Sequence, residues 1–264
     1  MYLLIDWGNT LLKYLVVAEL DNVINGTSSI EVGCVATIEE LMVNLGPIEK
    51  SRKFNNILIA SVRADAETNE LKESFERLGL KVFIARTASR NCGVICAYSK
   101  PSKLGIDRWL AILAAYDENR CVAIIDIGSA ITLDIVSSDG QHCGGHILPG
   151  RRLLRNSLLN TARVKAEHTV NKEIEFKVGH STGECVDYGV EQMIAGYLTN
   201  AIESSFSKYK VTHCIFTGGD ASLWMNWLSL NERIPCELSL QYDPIMVFRG
   251  LAKLFYEVTA IAHD

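Results

Sequence analysis

Residues 2–17 read YLLIDWGNTLLKYLVV, and residues 122–136 read VAIIDIGSAITLDIV. Placing Asp6 on Asp126 also places Gly8 on Gly128, Asn9 on Ser129 and Lys13 on Leu133, an offset of 120 positions. Each copy is an apolar run, an Asp-x-Gly, an amide or hydroxyl residue, and a second apolar run. That pattern predicts a strand, a tight turn and a returning strand. The period is too long for a solenoid and occurs only twice, so the chain reads as two similar half-molecules.

Outward from these hairpins, strands and helices alternate. Strands are expected at Ile57–Val62, Lys81–Ala85, His142–Leu148 and Val211–Thr217. Helices are expected over Ala66–Leu78, with Leu71, Phe75 and Leu78 on one face, and over Gly105–Tyr116, with Ile106, Trp109, Leu110, Leu113 and Ala114 on one face. Further helices are expected over Arg151–Thr161, Val186–Phe206 and from Tyr242-Asp243-Pro244 to about Ala260. The fold class is α/β: two mixed sheets with helices on both faces. A boundary near Asp117–Arg120 gives an N-terminal domain over 1–118 and a C-terminal domain over 119–264.

Composition narrows the function. Hydrophobic residues make up 48% and charged residues 22%, enough apolar material for a core and against disorder. With 26 basic and 31 acidic residues, net charge is −5, and no Lys/Arg block offers a surface to nucleic acid. No apolar run approaches the roughly 20 residues that span a bilayer. The start, MYLLIDWGNT, meets Asp6 at once and lacks the basic n-region of a secretory signal. Eight scattered cysteines without a CxxC pair then read as reduced thiols in a cytoplasmic protein.

Gly8 lets backbone N–H groups approach an anion, Asn9 and Thr10 add side-chain hydrogen bonds, and Lys13 supplies a point charge. Asp6 can hold a hydrated Mg²⁺ through water. The same residues are also ordinary turn formers, but a second copy at Asp126–Ser129 allows two hairpins to clamp one phosphate chain. The pattern is not a P-loop. Phe216-Thr217-Gly218-Gly219-Asp220 runs a strand into paired glycines, where a base or ribose can lie flat, or forms a plain loop. His142, Cys143 and His146 lack a fourth ligand for zinc.

These three elements, in this order, are the pattern of the actin-like superfold of sugar kinases and chaperone ATPases. Together with Gly105-Ile106-Asp107-Arg108, Gly144–Gly150 and Gly179-His180-Ser181-Thr182, the chain resembles a type III pantothenate kinase over positions 6 to 220. The resemblance implies ATP-dependent phosphorylation of pantothenate to 4'-phosphopantothenate, the first step toward coenzyme A, with Mg²⁺ and a monovalent cation, K⁺ or NH₄⁺. It implies ATP contacts from Asp6, Gly8, Asn9, Thr10, Lys13, Ser129, Gly218 and Gly219, and the monovalent cation on Asp126. Ser129 stands where the family usually has Thr. Pantothenate contacts are implied for Tyr98, Gly105, Ile106, Asp107 and Arg108. Thr182 is implied to reach the site of the other subunit of a homodimer.

Asp107 and Arg108 also carry a direct reading. At the start of a helix, Asp107 either complements the helix dipole or accepts the proton of an attacking alcohol, and Arg108 is either a solvated charge or a carboxylate ligand. Pantothenate has both a primary hydroxyl and a carboxylate. The competing expectations are a nucleotide-binding transcriptional accessory factor without kinase activity and a kinase for another acceptor, such as a sugar. The long 186–206 helix, with Val190, Met193, Ile194 and Tyr197, is either an interface face or core.

Overall fold

The computed structural model describes residues 1–26, 32–51, 54–162 and 174–261. The chain divides into two compact units, Met1–Ala115 joined by the segment from Ile245, and Tyr116–Pro244.

In the first unit, β1 (Tyr2–Trp7) and β2 (Leu12–Val17) form the expected hairpin, followed by α1 (Asp21–Asn25), β3 (Gly33–Val35), α2 (Ile38–Ser51), β4 (Asn56–Ser61), α3 (Asp65–Arg77) and β5 (Lys81–Ile84). A small hairpin, β6 (Arg90–Asn91) and β7 (Val94–Ile95), precedes α4 (Ile106–Ala115). The sheet order is β3-β2-β1-β4-β5. β1 runs antiparallel to β2 and parallel to β4. Leu3, Leu4, Ile5, Ile57, Leu58 and Ile59 are buried on both faces, so these central strands read as unbroken apolar runs rather than alternating ones. In α3, Leu71 and Phe75 are buried as expected, but Leu78 lies just past the helix and is exposed.

The second unit repeats the plan. It contains β8 (Val122–Ile127), β9 (Ala130–Val136), β10 (His142–Pro149), α5 (Arg151–Ala162), α6 (Thr182–Tyr209), β11 (His213–Thr217), α7 (Ala221–Ser229) and β12 (Ser239–Tyr242). Its sheet order, β10-β9-β8-β11-β12, and its strand directions match the first sheet one for one. α6 starts four residues earlier than expected because Ser181 caps it, its hydroxyl accepting from the Glu184 N–H at 3.3 Å.

The last helix departs from the sequence expectation that 119–264 forms one domain. α8 (Met246–Ile261) packs in the first unit, against α4 and the β1–β4 face. Gly250 is the contact point: a Cβ there would lie 1.9 Å from the Leu110 carbonyl oxygen. Lys253 Nζ donates to the carbonyls of Leu113 and Ala114 at 3.2 and 3.1 Å, a cation on the open C-terminus of α4. Phe255 stacks edge-on to Phe83, with centroids 5.4 Å apart. No helix among the described residues is long and apolar enough to cross a membrane.

Candidate active site

The first turn closes when the Gly8 N–H donates to the Leu11 carbonyl at 3.0 Å, leaving Asn9 and Thr10 exposed at its tip. Asp6 and Lys13 sit directly opposite each other across β1 and β2, which places both charged groups on one face of the sheet. Beside them stands a residue the sequence reading passed over. Arg63, two positions beyond β4, donates from Nη1 to the Asn9 carbonyl at 3.3 Å and lies 5.8 Å from the Trp7 ring centroid. Glu67 accepts from its Nη2 at 2.6 Å, and this pairing holds the Glu67 carboxyl below its usual range. Only the parallel neighbourhood of β1 and β4 brings Arg63 to this turn, so no local motif signals it.

The acceptor candidates converge in the same unit. Asp107 lies in the first turn of α4, where its carboxylate is favoured by the helix N-terminus, and its Oδ1 accepts the Arg108 N–H at 2.8 Å. Gly105 stands beside it: a Cβ there would come within 2.6 Å of that oxygen, so a side chain at 105 would make the Asp107 carboxylate shift. Arg108 is not a solvated charge: it is buried, donates from Nη1 to the Tyr98 hydroxyl at 3.1 Å and stands 5.9 Å from the Tyr98 ring centroid. Tyr98, Asp107 and Arg108 are thus brought together. Ile106, the first residue of α4, is buried.

In the second unit, packing rather than side-chain charge shapes the turn. The Ser129 carbonyl accepts the Gly150 N–H at 3.0 Å, and the Ile127 carbonyl accepts the Asp220 N–H at 3.0 Å. A Cβ on Gly150 would sit 2.2 Å from the Gly128 carbonyl oxygen. Gly218, at φ +98°, leaves no room either, with Asp126 Oδ1 2.4 Å and the Ile127 oxygen 2.5 Å from where its Cβ would be. Asp126, Ser129 and Gly218 therefore belong to one backbone cluster. Gly219 faces open space, with no atom within 4 Å of where its Cβ would be. The Asp126 carboxylate and the adjacent Ile127 carbonyl form an all-oxygen donor set of the kind a hard cation takes.

Thr182 is the first residue of α6, on an apolar groove with Leu158, Cys185, Val186, Val190 and Met193. His142, raised in the sequence as a metal candidate, is buried with its Nε2 3.0 Å from Asp134 Oδ1, and His146 Nδ1 lies 3.1 Å from the Tyr197 hydroxyl. Among the described residues no group of three His, Cys, Asp or Glu side chains is placed to hold a metal ion. Burial pushes the Cys214 thiol up to about 12 and Cys121 up to about 11, so neither is a thiolate nucleophile at neutral pH.

The type III pantothenate kinase family model matches residues 2–204. A type III pantothenate kinase of Azotobacter vinelandii is 33% identical over 256 residues, covering 94% of this chain and 96% of the relative. That of Ectopseudomonas mendocina is also 33% identical, over 258 residues, covering 96% and 98%. Among solved structures, a Campylobacter jejuni protein described as a Baf family transcriptional activator superposes with a TM-score of 0.61 at 22% identity, covering 98% of this chain and 99% of that one. A Listeria monocytogenes protein described as an N-acetylmannosamine kinase gives 0.50 at 15% identity over 98% and 99%. The two structures establish the fold alone. By a family match spanning most of its length, and by relatives a third identical from end to end, the chain belongs to the type III pantothenate kinase family.

Proposed function

We propose that the protein transfers the γ-phosphoryl group of ATP to the primary hydroxyl of pantothenate, giving 4'-phosphopantothenate for coenzyme A synthesis. The observation that carries this reading is the cluster of Tyr98, Asp107 and Arg108 in a chain of this family. Arg108 binds the pantothenate carboxylate through its guanidinium fork, with Tyr98 orienting it. Asp107 takes the proton of the attacking hydroxyl. A carboxylate suffices as base because the transition state is loose and the proton leaves late. Transfer is direct and in line, with no phospho-enzyme. Gly105 and Ile106 offer backbone to the acceptor.

In the first unit, Gly8, Asn9 and Thr10 offer backbone to the phosphate chain of ATP, with Lys13 as counter-charge. In the second unit, Ser129, Gly218 and Gly219 offer contacts to ATP. Asp6 would hold Mg²⁺ through water, and Asp126 with neighbouring carbonyls would take K⁺ or NH₄⁺; such ions would supply positive charge to offset that of the reacting phosphates.

A homodimer completes the site with Thr182 from the partner. Its support is the apolar groove that holds that residue in the second unit, where Leu158 and Met193 are each about half exposed. A cytoplasmic setting is supported by eight free thiols. The accessory-factor alternative is not favoured, because Asp107 and Arg108 are both present and adjoining. Coupled ADP release, with pantothenate and a panel of other alcohols in K⁺ and Na⁺ buffers, tests the assignment. Turnover confined to pantothenate and higher in K⁺ is expected; turnover with a sugar alone contradicts it.

A further inference from the structure

The turn of the β6–β7 hairpin is built from Cys92 at φ 47° and Gly93 at φ 81°. Two successive positive φ values make a two-residue hairpin turn of the primed kind, which favours Asn, Asp or Gly at the first position. Cys92 is therefore held in a left-handed conformation that its Cβ disfavours. What holds it comes from the last helix. Glu257 of α8 accepts the Cys92 N–H on Oε1 at 2.6 Å and the Asn91 Nδ2 on Oε2 at 2.9 Å. Asn91 then uses its Oδ1 to accept from Trp109 Nε1 at 3.2 Å. Trp109 is fully buried in α4, directly after Arg108. At the other end of the hairpin, the Cys96 N–H donates to the Ser89 carbonyl at 2.9 Å, two residues before Tyr98.

One carboxylate thus ties together the two segments that meet at the acceptor site: the hairpin leading into Tyr98 and the helix carrying Asp107 and Arg108. We infer that Glu257, acting through Asn91 and the Cys92 turn, is a positioning residue that sets the Tyr98–Arg108 geometry and with it the affinity for the acceptor carboxylate. Strain at a non-glycine turn residue persists where the surroundings over-determine it, and here the over-determination comes from the bidentate Glu257. The thiol of Cys92 takes no part in chemistry: burial first, then the nearby Glu257 charge, pushes it up to about 12. The inference rests on the acceptor-site reading given above.

The test is steady-state kinetics on the full-length protein with both substrates varied. Glu257→Gln can accept through only one atom, so one of the two donors loses its partner. The expected result is a rise of about tenfold in KM for pantothenate with KM for ATP unchanged, the scale of one lost hydrogen bond to a charged group. Cys92→Asn added to Glu257→Gln supplies a residue that adopts the turn unaided and is expected to restore most of the affinity. Asn91→Ala reads the same link should Glu257→Gln fail to fold. Arg108→Ala is measured alongside. A normal pantothenate KM in Glu257→Gln and Asn91→Ala, with a raised one in Arg108→Ala, overturns the positioning role and leaves the acceptor site standing. Normal values in all three overturn both. Equal rises in both KM values that Cys92→Asn does not reverse mark a general structural defect and also overturn it.

Discussion

The two repeated turns are built on the same strand pattern and do different work. The first is open: Asn9 and Thr10 are exposed, Lys13 and Arg63 stand beside it, and nothing but the Leu11 carbonyl crowds Gly8, at 3.3 Å from a Cβ. The second is hemmed in by backbone from Gly150 and Gly218, and the position matching Lys13 is the buried Leu133. An internal duplication has kept the sheet and divided the labour. One copy presents charge, and the other presents shape.

Since the first unit also holds the proposed base, Asp107, the largest effect is expected there. Asp107→Asn should lower kcat by about 10²–10⁴, the usual contribution of a general base, with the melting temperature lowered by no more than a few degrees through loss of the charge at the N-terminus of α4. Full turnover in that variant removes the proposed base. Exchanging the two matched positions sharpens the comparison. Leu133→Lys buries an unpaired charge and should cost more than about 3 kcal/mol of stability by denaturant titration. Lys13→Leu should fold normally and raise KM for ATP about tenfold, the loss of one charged contact. A stable Leu133→Lys that binds ATP more tightly would show the turns to be equivalent.

Glycine substitutions separate the turns in the same way. Gly150→Ala forces a Cβ against the Gly128 carbonyl and should destabilise the fold by roughly 3 kcal/mol. Gly8→Ala should cost under about 1 kcal/mol while weakening ATP binding, measured by calorimetry. The smallest effect concerns the proposed dimer. Cys185, exposed on the Thr182 groove, should react with a thiol reagent more slowly than the exposed Cys34 and Cys236 at concentrations where the dimer forms, and as fast as they do on dilution. Equal rates throughout would leave the groove uncovered.

The duplicated hairpins and their central strands are legible in sequence because buried parallel strands need unbroken apolar runs, and Asp-x-Gly marks the turn between them. The edges are not. β3 has three residues and β12 four, and α2 runs across Gly46-Pro47, which read locally as breakers. The return of α8 to the first unit is illegible for a different reason. The Gly250 contact with Leu110 and the Lys253 cap on α4 join residues about 140 positions apart. The site follows the same rule. Asp107 and Arg108 stand out beside Gly105 at a helix start, whereas the burial of Arg108 against Tyr98, the Arg63 contact and the Glu257 clamp depend on packing between distant segments.

The central claim is that the open, charged first turn is the one that carries the phosphate contacts. Hydrogen exchange, followed while a non-hydrolysable ATP analogue with Mg²⁺ is titrated in, tests it most directly. The account predicts protection at residues 8–13 that grows and saturates with the analogue. Exchange at residues 8–13 unchanged at saturating analogue would contradict it.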